Sequence, residues 1–559
     1  MFLSEYPSPS LFRKHSLGTF LSLLLLAACS PDNDALPGDD GGNTPSAALR
    51  IEVSASDFTS AATRATDNGA ATTFESGDRI GIIVLDGSGN VLSDNIPYKY
   101  DGSTWSFDNS NGEGKTALYY DNKAGTLTYV AYFPYSKEAN GITGADILAT
   151  LKAKFPPRYD QRTEDAYRAS DLLVWSSVTS SVPSKKLEIK FTHAYSSLSL
   201  SPSITCKIDG AETSYIPSSV SDASFTIGTE PLLPYRADDG SCRIIVSPQT
   251  TSARWLCAYG GSMHSGTMPS TALAANNRYT LAPVLKDLGA YTFDNARAGD
   301  FYCKNTRNEG YLIPGDASLT TEQQAACIGI VYSTDVGRIG AAATQALKEK
   351  GVSTPHGLVM ALTNASEDCR WGEYDKDENS DGNEGEPFKA NTDQLQKQYK
   401  NVNGYSETHW IIDHYKNSGT ALQNTYTAFY HASLYGTAES STGKYAAPSN
   451  TTGWFIPGMG QWWDILSNLG GINLTDKQED ASGSTSIPSA ANTAVANMNK
   501  YLQKISGATQ FSTGTYFWSS SEYRGDSACG VYFDSSGYLY LNSNGKNYSG
   551  RRVRCSFAF

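Results

Sequence analysis

Short runs of alternating apolar and polar residues, separated by turn residues, fill the chain from about residue 49 to residue 285. Alternation with a period of two places successive side chains on opposite faces of a strand, and turn signals about every ten residues are typical of β-sandwiches. Helical spacing is confined to short pieces such as residues 145–153. Strands are predicted at residues 48–55, 78–85, 127–133, 187–191, 244–247 and 278–281.

The pattern changes at about residue 289, where Trp, Asn and Gly become frequent. Helices are predicted at residues 342–350, 420–435 and 460–469, and strands around residues 517–523, 530–533 and 551–557. The third helix follows Pro457 and Gly458, which mark a helix start. We therefore expect a mainly β protein that ends in an α+β domain.

An apolar run, LSLLLLAACS, occupies residues 21–30 and follows Arg13 and Lys14. It is too short to span a bilayer, which needs about 20 apolar residues, and it has the charged and apolar regions of an export signal. Its small-small-Cys ending resembles the lipobox of bacterial lipoproteins. That resemblance implies removal of residues 1–28, acylation of Cys29 and anchoring in the outer membrane. An ordinary secretory peptide is the alternative.

Residues 29–47 are rich in Gly, Pro, Asp and Asn and lack hydrophobic periodicity, which predicts an acidic flexible tether. Their acidity resembles the signal that directs some lipoproteins of Bacteroidetes to the cell surface. The net charge of the 559-residue chain is −13, and no basic block interrupts it. Nucleic acid is therefore excluded as an expected partner, since phosphate binding needs clustered Lys and Arg.

Eight cysteines remain besides Cys29, and they are candidates for disulfides: Cys206, Cys242, Cys257, Cys303, Cys327, Cys369, Cys529 and Cys555. An even number in an exported protein permits pairing, but the sequence does not give the connectivity. Three of them precede residue 285 and five follow it. Both numbers are odd, so pairing within domains leaves at least one unpaired thiol on each side of residue 285.

Five phrases of the strand-rich part resemble the fimbrillin family of Bacteroidales pilus subunits. They are ATRAT at residues 62–66, FESGDRIG at 74–81, YVAYFP at 129–134, SDLL at 170–173 and FTHAY at 191–195. The resemblance implies two transthyretin-like β-sandwiches, at residues 48–195 and 196–286, in a subunit of a cell-surface fimbrium.

Four phrases of the later part resemble Fibrobacter-type major-paralogous domains and their relatives with a C-type lectin-like fold. They are HGLVMAL at residues 356–362, WFIPGMGQWW at 454–463, WSSSEY at 518–523 and RVRCSFAF at 552–559. The resemblance implies a lectin-like domain over residues 287–559, which would serve as an adhesin.

An acidic segment, DKDENSDG at residues 375–382, places oxygen side chains at alternate positions before a glycine. Asp375, Asp377, Asn379 and Asp381 can therefore curl around Ca²⁺, which takes six to eight oxygen ligands. The second half of an EF-hand-type loop is missing, because Phe388 stands where the bidentate Glu belongs. The alternative is an acidic loop in solvent without metal.

Several aromatic and histidine residues invite a binding role. Trp454, Trp462, Trp463 and Trp518 can stack on sugars, although Trp within fold-defining phrases normally builds the core. Tyr538, Tyr540 and Tyr548 are alternative contacts near the last hairpin. His409 and His414 are expected to be structural, since no third metal ligand lies nearby. The chain has no H-E-x-x-H, no G-x-S-x-G and no P-loop, so an enzyme is not expected.

Arg64 lies in a polar segment between the first predicted strand and Phe74, and such a segment is open to protease. In the fimbrillin family, cleavage after a basic residue here removes the first strand and opens a groove, which another subunit fills with its own strand. An uncut loop Arg is the alternative.

Polymerising fimbrillins donate their C-terminal end as a strand, whereas here that end, RRVRCSFAF, is expected to stay in the sheet of its own domain. The resemblances together imply a subunit that accepts a strand from another fimbrillin but donates none. We therefore expect a tip adhesin that binds a glycan or protein receptor. The alternatives are a lipid-anchored binding protein, a pilus base subunit and a surface enzyme.

Overall fold

The computed structural model describes residues 48–559 apart from residues 61–71, 111, 113, 120–124, 145, 180–184, 379–398 and 479–484. Residues Ala48–Phe559 form one compact unit. Within the described residues, no helix combines the length and the apolar character that crossing a membrane requires.

The first region is a closed β-barrel with two helices on its outside. Its strands are β1 (Arg50–Ala55), β2 (Thr59–Ser60), β3 (Arg79–Leu85), β4 (Val91–Tyr100), β5 (Trp105–Phe107), β6 (Leu127–Phe133), β7 (Leu173–Thr179) and β8 (Lys186–His193), and its helices are α1 (Ile147–Lys154) and α2 (Glu164–Ser170). The order around the barrel is β1-β5-β4-β3-β6-β7-β8. Strand β2 belongs to a sheet of the next region.

Alternating apolar and polar residues along the strands explain which side chains fill the barrel interior. Strand β8 buries Leu187, Ile189 and Phe191 and exposes the residues between them. The buried side chains of β8 form one apolar cluster with those of β1, β3 and β6. A second cluster lies between the other face of the sheet and α1, where Leu151 is fully buried. The sequence pattern predicts these strands but does not distinguish a sandwich from a closed barrel.

The second region contains three small sheets. Its strands are β9 (Ser196–Leu200), β10 (Ser203–Ile208), β11 (Ala211–Tyr215), β12 (Ser221–Ile227), β13 (Glu230–Leu232), β14 (Tyr235–Arg236), β15 (Cys242–Val246), β16 (Gln249–Tyr259), β17 (Ser262–Leu273), β18 (Asn277–Leu281) and β19 (Val284–Ala290). Their orders are β11-β10-β19, β13-β12-β16-β17 and β14-β15-β9-β18-β2. The last sheet includes β2, so the N-terminal arm joins the first two regions.

The third region combines two sheets with helices. Its strands are β20 (Phe301–Lys304), β21 (Gly310–Ile313), β22 (Cys327–Ser333), β23 (Leu358–Ala361), β24 (Ser366–Cys369), β25 (Thr485–Ile487), β26 (Thr515–Arg524), β27 (Ser527–Phe533), β28 (Leu539–Gly545), β29 (Arg551–Val553) and β30 (Ser556–Ala558). Its helices are α3 (Thr321–Ala326), α4 (Ala341–Glu349), α5 (Gly404–Tyr415), α6 (Ala421–Asn424), α7 (Thr427–Leu434), α8 (Met459–Asn468) and α9 (Ala490–Leu502). The sheet orders are β21-β20-β22-β23-β30 and β24-β29-β26-β27-β28-β25.

The distribution of elements confirms a mainly β chain with an α+β C-terminal part. Two differences have a physical reason. The helix predicted over residues 420–435 is two helices, because the Ala428 amide donates to the distant Arg370 carbonyl at 2.9 Å instead of continuing from α6. Helices α5 and α9 are absent from the sequence prediction, because the residues they bury are largely polar in α5 and small in α9, so neither shows a strong apolar stripe.

Candidate functional site

Strand β1 closes the barrel in an unusual way. It runs parallel to β8 in register from Arg50 opposite Lys186 to Ala55 opposite Phe191. On its other edge, β1 pairs with β5 at a single position, Ile51 opposite Trp105. The barrel therefore holds β1 mainly through the main chain of β8.

The inward face of β1 supplies part of the barrel core. Leu49 and Ile51 are buried, and Val53 and Ala55 pack against the same cluster. Burying a side chain of the size of Ile stabilises a fold by about 1.5–3 kcal/mol relative to leaving it exposed. Removal of β1 would consequently uncover an apolar groove beside β8.

The arm that follows β1 is held by the second region. The Thr59 amide donates to the Asn276 carbonyl at 2.8 Å, and β2 pairs in parallel with β18. The Phe58 ring stacks on His193 with 3.6 Å between centroids, and the Arg278 guanidinium lies 5.4 Å from the same ring. These contacts fix the chain up to the segment that contains Arg64.

The chain also meets His193 on the far side of that segment. The Thr72 hydroxyl lies 3.3 Å from Nε2 of His193, whose Nδ1 lies 2.7 Å from Oδ1 of Asp171. The buried His193 therefore contacts Phe58 before the candidate cleavage segment and Thr72 after it. Arg64 itself, like Cys29, lies outside the described residues.

The C-terminal strands are built into both sheets of the third region. Strand β29 lies between β24 and β26, and β30 pairs with β23 from Met360 opposite Ser556 to Leu358 opposite Ala558. The outer edge of β30 is also bonded: Ser556 pairs with Phe455, and the Thr452 amide donates to the Ala558 carbonyl at 3.0 Å. Residues 551–559 therefore have main-chain partners on both sides.

Side chains in this segment are as deeply buried as its main chain. Phe557 is fully buried, with ring centroids 4.9 Å from Tyr302 and 4.7 Å from Trp454. The Arg554 guanidinium donates to the carbonyl of Ala361 at 3.1 Å and to that of Thr509 at 2.8 Å. Burial lowers the pKa of Arg554 to about 10. The segment is thus part of the core of the third region.

The structure places one disulfide among the candidate cysteines, between Cys303 on β20 and Cys327 on β22, which face each other across the sheet. The remaining candidates are buried thiols: Cys206, Cys242, Cys257, Cys369, Cys529 and Cys555. Burial raises the pKa of Cys529 well above its ordinary value, so its thiol stays protonated and unreactive at neutral pH.

The aromatic candidates divide by burial. Trp454, Trp462, Trp463 and Trp518 are buried core residues, which confirms the structural interpretation of these four side chains. Tyr538 and Tyr548 are exposed, and Tyr540 is half-buried.

The two candidate histidines lie on one helix, α5. Nδ1 of His409 lies 2.9 Å from the Tyr405 carbonyl, and burial lowers the pKa of His409. His414 stacks on Trp410 with 4.6 Å between ring centroids. Both rings are thus held by neighbours on their own helix, in agreement with a structural role.

The candidate calcium loop is described only in its first half. Asp375 has a φ of 64°, and Asp377 follows, whereas Asn379 and Asp381 lie outside the described residues. Within the part of the chain that is described, no group of three or more His, Cys, Asp or Glu side chains is arranged to hold a metal. Calcium binding stays a prediction.

The third region contains buried charged side chains that the sequence pattern does not predict. Lys546 forms an ion pair with Glu522, and both side chains are completely buried. Glu407 accepts hydrogen bonds from Ser520 at 2.5 Å and from Asn401 at 2.7 Å. Burial raises the pKa of Glu407 to about 6. The motif WSSSEY contains two of these residues, Ser520 and Glu522, but its pattern does not reveal their distant partners.

Comparisons with known proteins agree on one class. Residues 63–296 match a family model described as "Fimbrillin-like". A relative from Bacteroides ovatus, named "Putative fimbrium tip subunit Fim1C", is 26% identical over 561 residues, which cover 90% of this chain and 91% of the relative.

Two solved structures are also similar. A fimbrial protein from Bacteroides ovatus is 19% identical with a TM-score of 0.37 and covers 92% of this chain and 100% of its own. A "putative cell adhesion protein" from Bacteroides uniformis is 20% identical with a TM-score of 0.29 and covers 43% of this chain and 94% of its own. The chain is thus similar over most of its length to a protein named as a fimbrium tip subunit, and its residues 63–296 carry the fimbrillin-like match.

Proposed function

We propose that this protein is a fimbrial subunit of the pilus tip, which accepts a donor strand in the place of β1 and presents its third region to a receptor. The observation that carries the proposal is the pairing of residues 551–559 on both edges, together with the attachment of β1 mainly to β8 and at a single position to β5. Similarity to a protein named as a fimbrium tip subunit over 90% of this chain supports the same assignment.

The acceptor function follows from the geometry of β1. Cleavage after Arg64 would separate β1 and β2 from the rest of the chain and would leave the inward residues Leu187, Ile189 and Phe191 uncovered. The main-chain groups of β8 that bond to β1 would lose their partners at the same time. A strand from another fimbrillin subunit can satisfy both needs by β-augmentation.

The same reasoning argues against donation by residues 551–559. To act as a donor, this segment would leave two sheets and expose Phe557 and the buried guanidinium of Arg554. Truncation of a buried Phe alone costs about 3–5 kcal/mol, and full removal of the strand would cost more. A subunit that does not donate this segment would end a polymer, which supports a position at the tip.

The domain and fold assignments belong to the proposal. Residues 48–195 and 196–286 are taken as two transthyretin-like units, and residues 287–559 as a lectin-like adhesin. Support comes from the barrel strands, which end at His193, and from the helices of the third region, which begin at Thr321.

The lipid and the partners complete the proposal. Cys29 would carry acyl chains that deliver the protein to the outer membrane, and cleavage after Arg64 would then release it from that anchor. Its partners would be other fimbrillin subunits and a glycan or protein receptor, and it would not act as an enzyme. A lipid-anchored binding protein or pilus base subunit is the second candidate, which the Cys29 motif favours.

Two observations on cells separate these candidates. Mass spectrometry of the N-terminus on isolated fimbriae should find Ala65, and gold-labelled antibodies should mark the fimbrial ends. An acylated Cys29 on the fimbrial protein would favour the anchored candidate instead. Label along the shafts would contradict a tip position.

A further inference from the structure

A cleft of about 590 Å³ lies between the second and third regions, outside every motif that the sequence singles out. Tyr215 and Tyr259 line one side, and Tyr501 and Lys504 at the end of α9 line the other. Its volume falls within the range of about 300–1,000 Å³ that is typical of small-molecule sites.

Asp316 is the polar centre of one wall. Its Oδ1 accepts a hydrogen bond from the Tyr215 hydroxyl at 3.0 Å, and its Oδ2 accepts one from Tyr259 at 3.3 Å and one from Ser219 at 3.5 Å. Burial is the main cause that raises the pKa of Tyr259 to about 12, so its hydroxyl stays protonated. The hydroxyl oxygens keep free lone pairs, and they can accept hydrogen bonds from hydroxyl groups of a ligand.

The floor of the cleft is closed by a second carboxylate. Asp300 accepts from the Tyr291 hydroxyl at 2.7 Å and from the main-chain amides of Arg297 at 2.8 Å and Gly315 at 2.9 Å. Gly299 permits close packing here, because a Cβ at this position would lie 2.7 Å from the ring of Tyr501. Asp300 therefore builds the floor, and the adjacent Gly299 leaves room for the partly exposed Tyr501 ring.

Three cationic side chains, Arg297, Lys500 and Lys504, line the cleft together with the carboxylates of Asp300 and Asp316, although the whole chain carries a net charge of −13. Arg297 is exposed and forms no ion pair with any residue that the structure describes. Lys500 donates to the neutral Asn497 side chain at 2.9 Å, and Lys504 donates to the Gly315 carbonyl at 2.8 Å. Lys504 also donates to the Ser218 hydroxyl and to the Ala317 carbonyl, each at 3.3 Å, so its three donors are in use and Arg297 and Lys500 are the cations that can receive an anion.

We infer that this cleft binds an acidic saccharide, one that combines a carboxylate with several hydroxyl groups. The carboxylate would pair with Arg297, which offers a planar fork of donors to such a group. The hydroxyl groups would bond to Asp316 and the Tyr259 hydroxyl, and the ring of Tyr501 would pack against the apolar face of the sugar. The inference rests on the proposed function, since it names the site and the chemical class of the receptor.

Isothermal titration calorimetry with the intact purified protein tests the inference. The probes are N-acetylneuraminic acid and glucuronic acid, compared with neutral glucose and with inorganic phosphate. The acidic sugars should bind, and Arg297→Ala should lower their affinity about 10- to 100-fold, which is the effect of losing one charge-assisted hydrogen bond. The matched control is Arg307→Ala, since Arg307 is exposed, pairs with Glu309 and does not line the cleft.

Each outcome decides between the classes of ligand. Tyr501→Ala should lower the affinity for the acidic sugars without creating affinity for phosphate. Unchanged thermal unfolding of the Arg297→Ala variant would show that its fold is intact. Equal binding of phosphate and sugars, or no binding of either acidic sugar, would overturn the inference. Strand complementation by the same Arg297→Ala protein tests the proposed function separately, because the cleft does not include β1 or β8.

Discussion

The main chains of Phe455 and Ser556 exchange two hydrogen bonds, each 2.8 Å long. This pair closes the outer edge of β30, while the inner edge bonds to β23 through Phe557 and its neighbours. A strand that is bonded on both edges cannot pair with another subunit unless it first leaves its own sheet. The relationship between these two residues is therefore the structural basis of our proposal that the subunit accepts a strand without donating one.

Replacement of Phe557 should show how firmly the last strand is held. Phe557→Ala removes a fully buried ring that contacts Tyr302 and Trp454, so the free energy of unfolding should fall by about 3–5 kcal/mol. Urea unfolding followed by tryptophan fluorescence measures the change. Tyr548→Ala is the control, since Tyr548 is exposed and should change stability by about 0.5 kcal/mol or less. Similar losses in the two variants would contradict a tightly held strand.

The two faces of β1 should respond differently to truncation. Ile51→Ala should lower the free energy of unfolding by about 2–5 kcal/mol, because Ile51 is buried in the barrel. Glu52→Ala loses exposed ion pairs with Lys186 and Arg50, contacts worth about 0–1 kcal/mol each. A synthetic peptide with the sequence of residues 48–60 should bind the protein from which β1 has been removed, whereas its Ile51→Ala form should bind more weakly. Equal affinity of both peptides would argue against a groove that selects side chains.

The buried carboxyl group of Glu407 should make the free energy of unfolding depend on pH. Its pKa of about 6 lies above the ordinary value of 4.5, so the folded protein holds this proton more tightly than the unfolded chain does. The contribution of Glu407 to stability should therefore fall by about 2 kcal/mol as the pH rises from about 4.5 to about 6 and should stay level above that. Glu407→Gln should abolish this contribution in unfolding curves measured across that range. The exposed Glu439→Gln should leave it in place, and an unchanged slope in Glu407→Gln would refute the assignment.

The buried pair of Lys546 and Glu522 should be asymmetric in its response to mutation. Lys546→Met leaves the Glu522 carboxylate buried without its cation, and loss of one partner of a buried pair costs about 3–5 kcal/mol. Adding Glu522→Gln should restore much of this stability, because the uncompensated charge is gone. Thermal unfolding of the single and double variants measures the difference. A double variant that is no more stable than Lys546→Met would contradict the charge argument.

Sequence patterns locate several elements closely, including elements that are buried on both faces. The prediction over residues 127–133 coincides with β6, and the one over residues 460–469 differs from α8 by a single residue at each end. In β26 the residues from Thr515 to Glu522 are all buried, so both faces lie in the core and no alternation marks its register. Local periodicity also cannot show that β1 pairs with β8, because 130 or more residues separate them.

The candidate site is predictable only in part for the same reason. The sequence marks the segment around Arg64 and the C-terminal phrase RVRCSFAF, and it suggests that the phrase stays in its own sheet. The pairing of β30 with Phe455 and the position of His193 beside Phe58 and Thr72 depend on tertiary contacts. The cleft around Asp316 brings together residues from two regions, and no local motif connects them.

The most direct measurement of the central claim is the mass of the assembly formed after processing. A protein with a specific protease site in place of residues 63–66 is cleaved to release β1 and β2, and its mass is measured by light scattering during size-exclusion chromatography. We predict a monomer when the cleaved protein is alone and a one-to-one complex when the peptide of residues 48–60 is added. A ladder of homopolymers from the cleaved protein alone would show that it also donates a strand and would contradict the account.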